Sequence, residues 1–287
     1  MTIERFEADE RLVRRLIDSQ FPQWAGLTLH RVTPGGSDHV IYRLGSGLSV
    51  RLPRHTGAIR QAAKELRLLP QLAPRLPLAI PSPVAVGEPD LGYPWSWGVS
   101  RWLDGAVARY EELGESVETA LQLAEFLTAL QAVDVSAPVE PDEPLAAHDE
   151  RVRAAIADIA DAFDARSLLA VWREAVTAPA WDRPPVWYHG DFHTGNLLTT
   201  AGRVSAVIDF GGLGRGDPAR DLMMAFTLLE GRAREAFRKA LDVDEATWAR
   251  GRGRSLIGGV FAYRAYAATN PWVKAQTIRQ LTAVLSA

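Results

Sequence analysis

The chain has 287 residues, no cysteine, 47% hydrophobic side chains and a formal net charge of −3. That length can bury one large core or two modest lobes, and the lack of thiols excludes disulfides and thiolate metal sites. The near-neutral charge gives no basis for nucleic-acid binding.

The opening residues mix acids and bases with no apolar h-region. No stretch reaches the roughly 18 apolar residues of a membrane helix. Neither an export signal nor a membrane span is expected, and the cytoplasm is the expected location. Residues 8–20 place Leu12, Val13, Leu16 and Ile17 at helical spacing. After Gly26 the period changes to two: LTLHRV, HVIYRLG and LSVRLPR, separated by PGGSD and GSG, predict consecutive antiparallel strands joined by tight turns. GAIRQAAKELRLLPQL then places Ile59, Ala62, Ala63, Leu66 and Leu69 on one helix face. The Pro-rich run PRLPLAIPSPVAVGEP cannot be helical and leads into a strand within YPWSWGVSRWL. A first lobe is expected over 1–103 and a second over 104–287.

From 106 to 180 helices are expected, with Val117, Ala120, Leu121 and Leu127 forming one stripe and a Pro- and acid-rich loop at 137–148 interrupting the series. Residues 104–180 carry 16 acidic and 5 basic side chains. This acidic block reads either as solvated helix faces or as a surface that attracts a cationic substrate. Helices are expected again after 222. The whole predicts a two-lobed α+β chain: a small β-rich lobe with one helix, then a larger, mainly helical lobe carrying a hairpin.

The densest set of reactive side chains is WYHGDFHTGNLLTTAGRVSAVIDFGG. LLTT and RVSAVIDF are β-like and flank Ala201-Gly202, which predicts a hairpin. Reflection about the turn sets Asn196 opposite Val207, with Asp209 just beyond. The Asn196 amide and the Asp209 carboxylate offer hard oxygen donors of the kind Mg²⁺ takes when phosphate and water complete its shell. Asp191, five residues upstream of Asn196, is set to accept a proton from an incoming hydroxyl. That is a layout for phosphoryl transfer.

His189-Gly190-Asp191-Phe192-His193-Thr194-Gly195-Asn196, followed by Ile208-Asp209-Phe210-Gly211 and GDPARDL at 216–222, resembles the aminoglycoside phosphotransferase family of the protein-kinase-like superfamily. The resemblance spans roughly 26–225 and implies a bilobal kinase-like fold. It also implies a small-molecule kinase using ATP or GTP and Mg²⁺, with Asp191 as catalytic base and Asn196 and Asp209 as metal ligands. Asp217 and Asp221 are implied to brace the loop. The family more often has Pro at the position of Thr194. The same resemblance makes Arg51 the residue that grips the α- and β-phosphates, paired with Glu65 fourteen residues on, and makes Ser100, Arg101, Trp102 and Leu103 the adenine-contacting connector. The turn Gly35-Gly36-Ser37-Asp38 is either a phosphate cradle of backbone N–H groups or a plain hairpin turn.

The implied acceptor is a hydroxyl of an antibiotic, an aminoglycoside first. A macrolide or a metabolite such as choline or homoserine is the alternative, and a catalytically silent nucleotide-binding protein is a second. A zinc site from His189, Asp191 and His193 would leave Asn196 and the IDFGG segment unexplained. His193 reads equally as a structural residue or as part of the site. The motif speaks to the donor half of the reaction and leaves the acceptor, the transferred position, the choice of ATP or GTP and the oligomeric state open.

Overall fold

The computed structural model describes residues 5–33, 35–135 and 143–286. The first four residues, Pro34 of the first turn, residues 136–142, most of them in the interrupting loop, and Ala287 lie outside the described ones. The chain divides into two compact units: the described residues through Gly105 together with Ala206–Gly212, and Ala106–Ser205 together with the described residues from Leu213 onward. Beside the division expected at 103/104, the first unit runs two residues further, to Gly105, and takes in 206–212, where the Val207 N–H donates to the Ala79 carbonyl.

In the first unit, helix α1 (Glu10–Gln20) is capped by Asp9, whose carboxylate accepts the Leu12 N–H. Five antiparallel strands follow: β1 (Leu29–Arg31), β2 (His39–Leu44), β3 (Leu48–Pro53), β4 (Pro83–Gly87) and β5 (Trp97–Arg101), in the order β1-β2-β3-β5-β4. Alternation decides which residues meet. Val40, Tyr42, Leu44, Val50, Leu52 and Val99 point into a core shared with Val13, Leu16 and Ile17 of α1. Their neighbours His39, Ile41 and Arg51 turn to the other face, where Ile41 lies directly opposite Arg51. Helix α2 (Thr56–Leu72) buries Ala58, Ala62, Glu65, Leu68, Leu69 and Leu72. The expected face was rotated: Ala63 is exposed and Ile59 and Leu66 are only half-buried. An acidic side chain sits on the buried stripe because it has a cation to meet there, which a hydrophobicity count does not register.

The second unit contains β6 (Ala106–Val107), α3 (Tyr110–Leu113), α4 (Val117–Gln131), α5 (Asp149–Ala157), α6 (Ala165–Thr177) and β7 (Val186–Tyr188). After them come β8 (Leu197–Thr200), β9 (Arg203–Val207), β10 (Gly214–Gly216), α7 (Met224–Thr227), α8 (Gly231–Ala240), α9 (Glu245–Tyr266) and α10 (Pro271–Ser286). The α4 stripe also differs from expectation. Ala120 and Leu127 are buried, but Val117 and Leu121 are 40% and 48% exposed, and the buried face runs instead through Leu123, Ala124, Phe126 and Leu130. The hairpin turn is as expected, with Ala201 at φ 51° and Gly202 at φ 75°, the two left-handed residues of a type I′ turn. Strand β9 stops at Val207 rather than running through Phe210; Phe210–Gly212 form a 3₁₀ turn. β7 pairs with β10, setting the segment that follows Tyr188 beside the 214–216 strand.

Candidate active site

In the second unit, the loop after β7 is held from several sides. Asp221, fully buried, accepts the His189 N–H at 2.7 Å and the Gly190 N–H at 2.8 Å. Gly190 stands at φ 86°, a conformation that glycine adopts without strain. Phe192 is buried and stacks on Phe126 of α4, with ring centroids 5.7 Å apart. Thr194 is buried and donates its hydroxyl to the Thr227 carbonyl at 2.8 Å, a bond that the proline common at this position cannot make. Asp217 caps the turn Pro218–Met223 and takes the guanidinium of buried Arg250 at 2.6 Å. Burial pushes the Asp221 carboxyl up, to about 7, against its two N–H donors.

These supports present Asp191. Its Oδ2 accepts the Asn196 Nδ2 at 3.1 Å, and the same Nδ2 lies 2.9 Å from the Asp191 carbonyl. His193 Nδ1 accepts the Gly195 N–H, so the ring proton belongs on Nε2, which faces Asp191 Oδ2 at 3.5 Å. Among the described residues nothing hydrogen-bonds Asp191 Oδ1, and the side chain is half-exposed. Burial would raise this carboxyl, but the bonds from His193 and Asn196 and the electrostatic pull of the His193 and His189 rings hold it down at about 2. A folded-state pKa below the usual carboxylate range means that Asp191 is ionised throughout the neutral range. The profile of kcat/KM against pH should therefore show no inflection from this group between pH 5 and 8. An acid limb in that interval that vanishes in Asp191→Asn would contradict the assignment.

In the first unit, Arg51 donates to Glu65 at 2.8 Å, and both side chains are largely buried. Its other terminal nitrogen is 3.9 Å from Asp209 Oδ1. Arg51 Nε and Glu65 Oε1 have no partner among the described residues. Burial pushes the Glu65 carboxyl up, while the Arg51 charge opposes it. Asp209 sits at φ 64° with a half-exposed carboxylate, a strained conformation of the kind retained at functional sites. Helix α2 anchors this segment, since Lys64 Nζ donates to the Gly211 carbonyl at 2.9 Å. Gln61 lies so near that a Cβ on Gly211 would meet its amide oxygen at 3.0 Å.

The structure thus gathers Asp191, Asn196 and His193 in one unit, and Arg51, Glu65 and Asp209 in the other. In the turn, Arg54 donates to the Gly36 carbonyl, while the Asp38 carboxylate joins the Ser37 hydroxyl and the His55 ring. Neither Gly35 nor Gly36 needs a positive φ. At the connector, Ser100 is buried in β5, and the N–H groups of Arg101 and Trp102 are spent on the carbonyls of Ser82 and Gly47. Any base contact by their backbone would have to come from carbonyls or from Leu103.

Sequence reasoning did not find Lys64 or the Thr194 bond, because their partners lie 147 and 33 residues away. It singled out Trp272 only as an aromatic of the C-terminal helices. The indole, 56% exposed, lies 3.8 Å from where a Cβ on Gly195 would sit.

Asp221→Asn should loosen the loop. An amide cannot accept from both N–H groups without aiming its own N–H at one of them, and an orphaned buried donor costs about 1–3 kcal/mol. Urea denaturation should show that loss together with a fall in kcat. Unchanged stability would show that Asp221 does not brace the loop.

Wild-type aminoglycoside 2'-phosphotransferase-IIIa, solved as a GDP complex, superposes with a TM-score of 0.70 at 19% identity, covering 97% of this chain and 99% of that one. The macrolide 2'-phosphotransferase MphH from Brachybacterium faecium, an apoenzyme, gives 0.60 at 24% identity over 94% and 98%. A type I macrolide 2'-phosphotransferase gives 0.63 at 20% over 98% and 99%. A comparison with curated protein sequences finds no match. Likeness of this extent defines the class: a kinase-like phosphotransferase fold with a small antiparallel-sheet unit and a mainly helical one. Within that class, the profile of the phosphotransferase enzyme family matches residues 28–254, and the chain belongs to that family.

Proposed function

We propose that the protein is a small-molecule kinase that transfers the γ-phosphate of ATP or GTP to a hydroxyl of an antibiotic, an aminoglycoside first. The observation that carries this reading is the geometry of Asp191: one carboxylate oxygen is clamped by Asn196 and faced by His193, and the other is open. Such a carboxylate is positioned to orient an acceptor hydroxyl and take its proton as the phosphoryl group transfers.

Mg²⁺ suits the donor set. No three His, Asp or Glu side chains form a metal cage among the described residues. An ion held here would need phosphate oxygens and water around one carboxylate and one amide, as Mg²⁺ brought by a nucleotide has. Asp209 and Asn196 would hold it, the Asn196 Nδ2 being committed to Asp191 so that its oxygen turns away from that carboxylate. When bound, Mg²⁺ supplies charge neutralisation at the phosphates. Arg51, steadied by Glu65, offers a guanidinium fork to the donor phosphates. Asp221, Phe192 and Thr194 keep the loop rigid so that Asp191 is in place before the acceptor arrives.

A macrolide is the second reading, favoured by two features of the second unit. Four of the 16 acidic side chains of the block are paired with arginines there, Asp149 with Arg153, Asp158 with Arg264, Glu118 with Arg203 and Glu174 with Arg252. The exposed Trp272 beside Gly195 offers an apolar plate. The deciding experiment is a coupled nucleoside-diphosphate release assay with Mg-ATP and Mg-GTP across aminoglycosides, macrolides and small hydroxylated metabolites. Release dependent on an aminoglycoside supports the first reading and release dependent on a macrolide the second. Nucleotide binding with no release for any acceptor would favour a silent protein.

A further inference from the structure

Asp209 holds φ 64° without the hairpin that imposes the same conformation on Ala201, so groups outside its own backbone must keep it there. Two bonds bracket it, each two residues away. On one side the Val207 N–H donates to the Ala79 carbonyl, and on the other Lys64 Nζ donates to the Gly211 carbonyl, both at 2.9 Å. The second joins residues 147 positions apart and is charge-assisted, which makes it the stronger kind.

Helical spacing explains why α2 can supply it. Ala58, Ala62 and Glu65 share the buried stripe, where Glu65 meets Arg51. Gln61 and Lys64, three residues apart, lie on the adjoining stripe, and both address Gly211. A Cβ on Gly211 would meet the Gln61 amide oxygen at 3.0 Å, so glycine lets the turn lie close enough for the lysine to reach it. One rigid helix thereby places two groups at once: the Arg51 guanidinium through Glu65, and the Asp209 carboxylate through the turn that Lys64 holds. These two groups come within 3.9 Å of each other.

We propose that Lys64 is a positioning residue for the metal: by pinning Gly211 it keeps Asp209 in the left-handed turn that presents its carboxylate to nucleotide-bound Mg²⁺. The inference rests on the reading of Asp209 as a Mg²⁺ ligand. The test measures ADP and GDP binding by calorimetry with Mg²⁺ and with EDTA, beside urea midpoints, for the wild type, Lys64→Met, Lys64→Arg and Asp209→Asn. Methionine keeps most of the lysine stem and removes the donor, so the fold should hold. Lys64→Met should weaken binding with Mg²⁺ roughly tenfold, the effect of one charge-assisted bond on the population of the competent turn, and leave binding in EDTA unchanged. Lys64→Arg, which still carries donors for the Gly211 carbonyl, should recover most of that affinity. A loss in EDTA as large as the loss with Mg²⁺ would show Lys64 gripping phosphate or supporting the fold, and would overturn the proposal. Asp209→Asn separates the two readings, because it should remove most of the strengthening that Mg²⁺ gives. If Mg²⁺ strengthens binding equally in Asp209→Asn and the wild type, or in neither, the metal-ligand reading itself fails. If Asp209→Asn loses the strengthening and Lys64→Met keeps it in full, the role of Lys64 alone fails.

Discussion

Asp191→Asn should lower kcat by roughly 10²- to 10⁴-fold, the loss expected when a positioned general base is removed, with nucleotide affinity nearly unchanged. The substitution keeps the shape of the side chain and one oxygen, and the loop is held by groups that do not involve this carboxylate: Asp221, Phe192 and Thr194. The effect should therefore appear in turnover and leave folding alone. One local cost is expected, because Asn196 Nδ2 and the His193 ring would now face an amide in place of an anion. The measurement is single-turnover phosphate transfer beside calorimetric ADP or GDP binding. Full activity in the variant would remove Asp191 from the mechanism.

Arg51→Met should cost stability as well as activity. Glu65 is buried with Arg51 as its 2.8 Å partner, and breaking a buried pair from one side strands the other charge at about 3–5 kcal/mol. Burial already raises the Glu65 carboxyl, and losing the guanidinium raises it further. A carboxyl whose folded-state pKa lies above its unfolded value binds a proton more readily when folded, so the deficit should shrink as pH falls and grow as pH rises above the ordinary carboxylate range. The double variant Arg51→Met with Glu65→Leu should recover most of the stability and none of the activity. That split between urea midpoint and kcat distinguishes a phosphate-binding pair from a structural one. A double variant that regained turnover would show the pair to be structural alone.

The parts of this protein that were legible in its sequence are those set by neighbours along the chain. The helical spacing of 8–20, the alternation in β1 to β3 and the left-handed pair Ala201-Gly202 all depend on residues within a turn or two of each other. The spacing of Asp191 and Asn196 is of the same kind. Five residues of one loop bring the amide onto the carboxylate.

Tertiary structure decided what depends on distant partners. It rotated the buried face of α2 so that Glu65, not Ala63, turns inward, because Arg51 waits there on the sheet. It exposed Val117 and Leu121 on α4 while burying Phe126 against Phe192. It ended β9 at Val207, leaving Asp209 left-handed in a segment tied to α2 by Lys64. It set Asp221 under the backbone of His189 and Gly190. A local pattern records the period of a helix or strand and the chemistry of a turn. The choice of which face is buried, and of which polar groups meet there, follows from free energies of burial and pairing summed over residues tens to hundreds of positions apart.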